Sequence, residues 1–264
     1  MTISNLLKKY NFRPNKRLGQ NFLIDQKVLQ KIIKAADLTK EDTVLEIGPG
    51  LGILTQALAQ IAKKVIAVEK DQKMIEVLKI IIGEYKNIEI IESDILKLKE
   101  FYLKDSYKIV ANLPYYISSP VIRQFLESKN PPYEMTLLVQ KEVAQRICSQ
   151  PPDMSVLAVS VQFYANPKII SYVSKKSFWP QPKVNSAILK IKNIKHPKLN
   201  IKHFFQVVKA GFLSPRKQLA NNLSKGLDVA KDKIYLICKK IDINPSRRAE
   251  TLTIEEWKKI SKNI

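Results

Sequence analysis

From residue 43 the chain repeats one rhythm: a short β-branched apolar run, then an amphipathic run with helical spacing. "TVLEI" (43–47), "KVIAVE" (64–69), "IEIIES" (88–93), "YKIVAN" (107–112) and "MTLLVQ" (135–140) read as strands. "ILTQALAQIA" (53–62) and "QKMIEVLKIII" (72–82) read as the helices between the first of them. The apolar runs lack strict alternation, as expected of strands covered on both faces, and their interleaving with helices predicts βαβ units. The expected architecture is a doubly wound α/β sheet, mostly parallel and of about seven strands. Ser118 and Ser119 before Pro120 read as a helix N-cap followed by a first-turn proline.

Past residue 150 the rhythm changes. "SVLAVSVQFYA" reads as a helix. "KIISYVS" and "VNSAILKIK" read as strands, joined by "KKSFWPQPK", a loop too proline-rich for regular structure. From about residue 200 the pattern is helical throughout. These signals divide the chain near residue 192, into a domain spanning 1–192 and a smaller all-α domain spanning 193–264.

Length and composition fit that division. A chain of 264 residues accommodates one large and one small domain, and 45% hydrophobic content supports an ordinary core. No apolar run approaches the roughly 18 residues a membrane span needs. The opening stretch lacks the features of a secretory signal, so the expected location is the cytoplasm. Cys148 and Cys238 lie far apart with no CxxC or Cys/His cluster, and read as reduced thiols without a metal site. His196 and His203 read as solvated surface.

Charge changes the picture more. The net charge is +21, which points to a polyanionic partner: nucleic acid first, an acidic membrane surface second. Residues 186–264 carry 18 Lys and Arg against 6 Asp and Glu, whereas residues 1–185 carry 27 against 18. The first 17 residues add Lys8, Lys9, Arg13, Lys16 and Arg17 with no acid. Two basic zones, an N-terminal arm and the C-terminal third, therefore flank a more balanced middle.

The candidate chemistry lies at the strand ends. "VLEIGPGLG" puts Gly48, Gly50 and Gly52 between the first strand and the first helix of the repeat. The spacing is GxGxG rather than the dinucleotide GxGxxG, which weighs against NAD. Glu46, just before the turn, is poorly placed for a phosphate and well placed for a cation. Glu69 ends the next strand, where a carboxylate can accept both ribose hydroxyls. Asp94 follows the third, where it can accept from an adenine amine. A nucleoside with a charged amino-acid tail and no phosphate fits all three: S-adenosylmethionine (SAM).

Asn112 ends the fourth of these runs, in "NLPYYIS". An adenine amine is a poor nucleophile because its lone pair is delocalised into the ring. Two acceptors, the Asn112 side-chain oxygen and a nearby backbone carbonyl, can each take one N–H and make the nitrogen more tetrahedral. Pro114 holds Leu113 extended and fixes where that carbonyl points. Tyr115 can stack on the base, which is worth roughly 1–3 kcal/mol. No strong general base is needed, because the leaving group is a neutral thioether.

With these motifs in order along nearly the whole chain, the sequence resembles the ribosomal RNA adenine dimethyltransferases, most closely the type that modifies small-subunit rRNA. "LGQNFLID" (18–25) resembles the family's N-terminal cofactor motif. "LEIGPGLG", Glu69, "ESDIL" and "NLPYYIS" follow it, and "LLVQKEVAQRI" (137–147) resembles the RNA-facing segment. "SFWPQPKVNSAILK" resembles the family's F-x-P-x-P-K-V-x-S-A loop. "VVKAGFLSPRKQLANNL" and "RRAETLTIEEW" resemble its C-terminal helical domain. The resemblance implies a Rossmann-like SAM-dependent methyltransferase sheet with a C-terminal RNA-binding domain. It implies cofactor contacts at Asn21, Leu23, Glu46, Gly48, Gly50, Glu69, Asp94 and Asn112. It implies a target pocket of Asn112, Leu113, Pro114, Tyr115 and Phe178, with Phe178 opposite Tyr115; Trp179 stays a core anchor. RNA contacts are expected at Arg13, Lys16, Arg17, Lys141, Arg146, Lys183, Arg216, Lys217, Arg247 and Arg248. One departure is "FLSPRKQL", where the family often has two basic residues together and here Pro215 precedes Arg216 and Lys217, which weakens an RNA contact at residue 215 only.

The implied substrate is a pair of adjacent adenosines in the 3′-terminal hairpin of small-subunit rRNA, met within a pre-30S subunit by a monomeric enzyme. Each adenosine takes two methyls after extrusion into the pocket. Three alternatives stand beside this reading. One is a large-subunit rRNA dimethyltransferase of the macrolide-resistance type. Another is a nucleic-acid-binding assembly or transcription factor that does no catalysis. The third is a DNA or protein-amide methyltransferase.

Overall fold

The computed structural model describes residues 19–98 and 106–264. Their contacts divide into two compact units. One comprises the described residues up to Ala144 together with Lys168–Ile194, and the other comprises Gln145–Pro167 with Lys195–Ile264. The last of these transitions lies between Ile194 and Lys195. The helix expected from "SVLAVSVQFYA" packs with the C-terminal helices.

The first unit opens with a short strand, β1 (Phe22–Leu23), and a helix, α1 (Gln26–Ala36). Then come β2 (Thr43–Ile47), α2 (Ile53–Ala59), β3 (Lys64–Glu69), α3 (Gln72–Ile81), β4 (Ile88–Glu92) and β5 (Tyr107–Asn112). A single 3₁₀ turn over Tyr115–Ile117 leads into α4 (Ser118–Leu126), and β6 (Glu134–Gln140) and α5 (Lys141–Ile147) follow. After α6 (Val156–Gln162) the sheet is completed by β7 (Asn166–Val173), and a small strand β8 (Phe178–Trp179) precedes β9 (Ser186–Lys192).

The central sheet has seven strands in the order β4-β3-β2-β5-β6-β9-β7. Strands β4 through β6 are parallel, and β9 pairs antiparallel with β6. The near-continuous apolar runs that suggested burial on both faces are buried: every residue of β2 and β3 except Thr43 and Lys64, their first residues, is buried. β4 lies at the sheet edge and its side chains are only partly covered. Strand order reverses between β2 and β5, so the carboxyl edge at that point is where this architecture opens a crevice.

Two local expectations are corrected. Ser118 does not cap α4: Ile117 occupies the N-cap, and the buried Ser118 hydroxyl donates to the Pro114 carbonyl at 3.3 Å. The 3₁₀ turn before it supplies the helical entry, so no side-chain cap is needed. The proline-rich loop is also more regular than expected. Phe178–Trp179 pair antiparallel with Phe22–Leu23, giving a two-stranded sheet that neither short segment advertises by periodicity.

Buried charge secures α1 against the main sheet. Asp25 caps its N-terminus, accepting from Lys27 and Val28, and also receives the Ser177 hydroxyl at 2.9 Å. At its other end the carbonyls of Ala35 and Asp37 accept from Lys190 Nζ and Lys108 Nζ. Lys190 in turn pairs with buried Glu134 at 2.8 Å.

In the second unit, α7 (Ile201–Gly211), α8 (Leu219–Leu227), α9 (Lys231–Lys240) and α10 (Ile254–Asn263) form the helical set expected from the sequence. Phe163, just after α6, stacks on Phe204 at 4.0 Å between centroids, which is why the segment joins this unit. Trp257 is fully buried and lies parallel to Phe212. Asn222 ties down the end of α7 by donating to the carbonyls of Gly211 and Ser214.

Candidate active site

The crevice at the β2/β5 reversal collects nearly all of the residues expected to bind cofactor and target. The glycine turn supplies its floor. Gly48, Gly50 and Gly52 all have positive φ, a conformation other residues adopt only under strain. At Gly50 a Cβ would come within 3.1 Å of the Phe22 ring, and at Gly52 within 2.7 Å of Leu78 Cδ1. The glycines thus let the turn close against β1 and α3 while leaving backbone bare toward the crevice.

Three carboxyl groups face this cradle in different states. Glu46, on β2, is 1% exposed, and its Oε2 has no hydrogen-bond partner among the described residues. Burial pushes its pKa up to about 8, and the charge of Glu69 adds in the same direction. Glu69 ends β3, and its Oε1 accepts from the backbone N–H groups of Lys70 and Asp71 at 2.8 and 2.9 Å. Burial raises its pKa too, against the pull of those N–H groups. Asp94, beyond β4, accepts from the N–H of Leu96 and lies 3.8 Å from Lys70 Nζ. The orphaned Glu46 oxygen, the pinned Glu69 and the glycine cradle fit a nucleoside with a cationic tail.

Asn112 stands across the crevice at the carboxyl end of β5. Its side-chain nitrogen donates to the Asn21 carbonyl at 3.0 Å, and the Asn21 side chain donates to Gly19 O. The amide is therefore held by its nitrogen, and its oxygen is the atom left to act. Leu113 N–H donates to Leu138 O, while the Pro114 carbonyl is already committed to Ile117 N–H and the Ser118 hydroxyl. Of the two carbonyls beside Asn112, that of Leu113 is the one left for a ligand. Tyr115 lines the same crevice, with its hydroxyl 2.7 Å from Ser186 Oγ.

Phe178 is placed differently from expectation. It is 2% exposed and packs in the core cluster with Leu23, Val28 and Ile188, and it is not among the residues that line the crevice. Trp179, read as the core anchor, is 42% exposed. The β1–β8 pairing explains the exchange: successive residues of a strand point to opposite faces, so burying Phe178 turns Trp179 outward. Sequence reasoning also passed over Lys70. Its Nζ donates to Tyr116 Oη at 2.9 Å, so Lys70 and Tyr116 bridge the crevice wall between the Glu69 and Tyr115 sides. The available signal was position: each directly follows a residue singled out for chemistry.

The expected RNA contacts divide. Arg13, Lys16 and Arg17 lie outside the described residues. Arg146, Lys183, Arg216 and Lys217 are exposed, and Lys141 is half-buried with its Nζ over the Tyr172 ring. Arg248 is exposed with Glu250 3.7 Å away. Arg247 is occupied internally: its guanidinium binds both Glu256 oxygens, the Thr251 carbonyl and the Thr251 hydroxyl.

The sequence model of the ribosomal RNA adenine dimethylase family matches residues 11–264. The chain is 47% identical over 264 residues to a ribosomal RNA small subunit methyltransferase A of Dehalococcoides mccartyi (strain CBDB1), covering 97% of this chain and 90% of that protein. It is 44% identical over 269 residues to the protein of the same name from Clostridium botulinum (strain Okra / Type B1), covering 99% and 98%. Among solved structures, a dimethyladenosine transferase from Plasmodium falciparum superposes with a TM-score of 0.79 at 28% identity, covering 90% of this chain and 95% of that one. The 23S rRNA methyltransferase ErmE shares the fold, with a TM-score of 0.75 at 24% identity over 92% and 99% of the two chains.

Proposed function

The chain belongs to the ribosomal RNA adenine dimethylase family, and from that premise we propose that it dimethylates the exocyclic amines of two adjacent adenosines in the 3′-terminal hairpin of small-subunit rRNA, using SAM. The near full-length identity to small-subunit enzymes favours that substrate over the large-subunit, DNA and protein alternatives. It acts as a monomer on a pre-30S subunit in the cytoplasm. No helix among the described residues is long and apolar enough to cross a membrane.

One observation carries the mechanism: Asn112 is held through its side-chain nitrogen, beside a crevice lined by three strand-end acids. SAM, when bound, supplies an electrophilic methyl on a sulfonium. Glu46 faces the cationic amino-acid tail, Glu69 takes the ribose hydroxyls and Asp94 takes the adenine amine. Asn21, Leu23, Gly48 and Gly50 close around the same ligand. The Asn112 oxygen and the Leu113 carbonyl each accept one N–H of the target amine. That withdraws the nitrogen lone pair from the ring and aims it at the methyl. Tyr115 stacks on the base, and Pro114 sets the turn that presents it. Positioning and fixed dipoles do most of the work.

On the RNA side, Arg216, Lys217, Lys183, Lys141, Arg146 and Arg248 grip phosphates, with the salt dependence that counterion release imposes. The test is tritiated-methyl transfer from SAM to a panel: small subunits lacking the methyl groups, naked large-subunit RNA, duplex DNA and protein. Transfer confined to adenosines of the small subunit supports the reading. Preferred transfer to another substrate, or none to any, overturns it.

A further inference from the structure

Tyr115 emerges from Pro114 in a single 3₁₀ turn, and its ring lines the crevice that holds Asn112. A ring at such a turn is held at its Cα end by the backbone. What fixes its other end is Ser186, 71 residues away, whose Oγ lies 2.7 Å from the phenolic oxygen. Ser186 is fully buried and is followed by buried Ala187, Ile188 and Leu189, so a hydroxyl there stands out against an apolar run. Most buried polar atoms have a hydrogen-bond partner, and the partner of this one is Tyr115.

The scaffold behind Ser186 is rigid. It begins β9 and pairs with Gln140 at the end of β6, inside the central sheet. Its neighbour Asn185 accepts from Lys141 N–H through its carbonyl and from Lys175 N–H through its side chain. Burial holds the Tyr115 phenol above its ordinary pKa, so it stays protonated and able to donate. The hydroxyl lies on the long axis of the ring. The bond therefore fixes the tilt of that axis and leaves rotation about it free.

We propose that Ser186 is a positioning residue for the reaction: through the Tyr115 hydroxyl it sets the direction of the long axis of the ring on which the target adenine stacks. The inference rests on the reading of Tyr115 as that face. It has a consequence specific to dimethylation. An unmodified amine offers two N–H groups, one to the Asn112 oxygen and one to the Leu113 carbonyl. A monomethylated amine offers only one, so stacking must supply more of its alignment. Loosening the Tyr115 ring therefore impairs the second transfer more than the first, and monomethyladenosine accumulates.

The experiment compares Ser186→Ala, Tyr115→Phe, the double variant and Tyr115→Ala on small subunits lacking the methyl groups. Mono- and dimethyladenosine are counted by nucleoside mass spectrometry, SAM affinity is read by calorimetry, and folding by thermal melts. Each conservative single change lowers the second transfer by about three- to tenfold, the worth of one net hydrogen bond. SAM affinity stays as in the wild type, and the double variant is no worse than either single. The double variant also melts no lower than the singles, since removing both partners leaves no orphaned polar atom. Additive losses, or an unchanged mono-to-di ratio in Ser186→Ala while Tyr115→Ala raises it, overturn the positioning role. If Tyr115→Ala itself leaves both transfers unchanged, the stacking reading of Tyr115 falls and takes this inference with it.

Discussion

Replacing Glu46 by Gln tests the electrostatics of the crevice most directly. In the folded protein without ligand its carboxyl has a pKa of about 8, against an ordinary 4.5, because burial disfavours the charge. The folded state thus keeps a proton that the unfolded chain releases, so stability is full below pH 4.5 and falls as pH rises toward 8. Between pH 5 and 7 the loss is about 2 to 3 kcal/mol, taking 1.4 kcal/mol per pKa unit. Gln cannot ionise, so the variant lacks this slope and is the more stable protein at pH 7.

SAM binding runs the other way, because a cationic tail beside Glu46 requires the carboxylate. Its own α-amine loses charge near pH 7.7–8.0, so the pair is best matched close to pH 8. Combining the two titrations, affinity at pH 6 is about twentyfold weaker than at pH 8, and binding at pH 7 releases close to one proton. Calorimetry in buffers of differing ionisation enthalpy reads both quantities, and denaturant melts from pH 5 to 8 read the stability slope. In Glu46→Gln the fall in affinity below pH 8 disappears along with the proton release. A wild-type affinity that is flat from pH 6 to 8, or a variant that keeps the stability slope, refutes the assignment of Glu46 as a protonated acid awaiting a cation.

Four further outcomes follow from particular contacts. Asn112→Ala removes one amine acceptor and lowers methyl transfer by about a hundredfold or more, the loss typical of a preorganised polar group, with SAM affinity within a few-fold by calorimetry. Reversing Arg216 and Lys217 to Glu weakens small-subunit binding at low salt, less so at high salt, without moving the melting temperature. Arg247→Ala instead lowers the melting temperature, because Glu256 and the Thr251 carbonyl lose their donor. Lys190→Met strands buried Glu134 and costs about 3 kcal/mol in denaturant melts, near the low end for a broken buried pair because Lys192 stands 3.5 Å from the same carboxylate. Adding Glu134→Leu recovers most of it.

Much of this is legible in the sequence, for reasons that differ by element. The parallel strands announced themselves because strands buried on both faces must be apolar throughout, and their ends then locate Glu46, Glu69, Asp94 and Asn112 at one edge. The glycine turn was legible because positive φ restricts residue choice. The β1–β8 pair was not: two-residue strands have no periodicity, and their partners are 155 residues apart in the register of Leu23 with Phe178. That pairing decides which of Phe178 and Trp179 is buried. Arg247 was misread because a basic residue looks the same in sequence whether it faces a phosphate or Glu256. The Tyr115–Ser186 bond spans 71 residues and has no local signature.

The choice of an amide at residue 112 follows from the same electrostatics. The crevice already holds two carboxyl groups, Glu46 and Glu69, whose pKa values are lifted by burial. A carboxyl at residue 112, facing Glu46 and Glu69, would be lifted in turn, and once protonated it would donate where an acceptor is needed. If it stayed ionised, it would hold the positively charged methylated amine and slow its release. An amide avoids both difficulties: its oxygen accepts at every pH, and its nitrogen is free to be anchored, here to the Asn21 carbonyl. The acids at the other strand ends face the opposite demand, since a cation and a diol are better held by charge. Carboxylates on the donor side and a neutral amide on the acceptor side let one crevice bind a cation while leaving an amine nucleophilic.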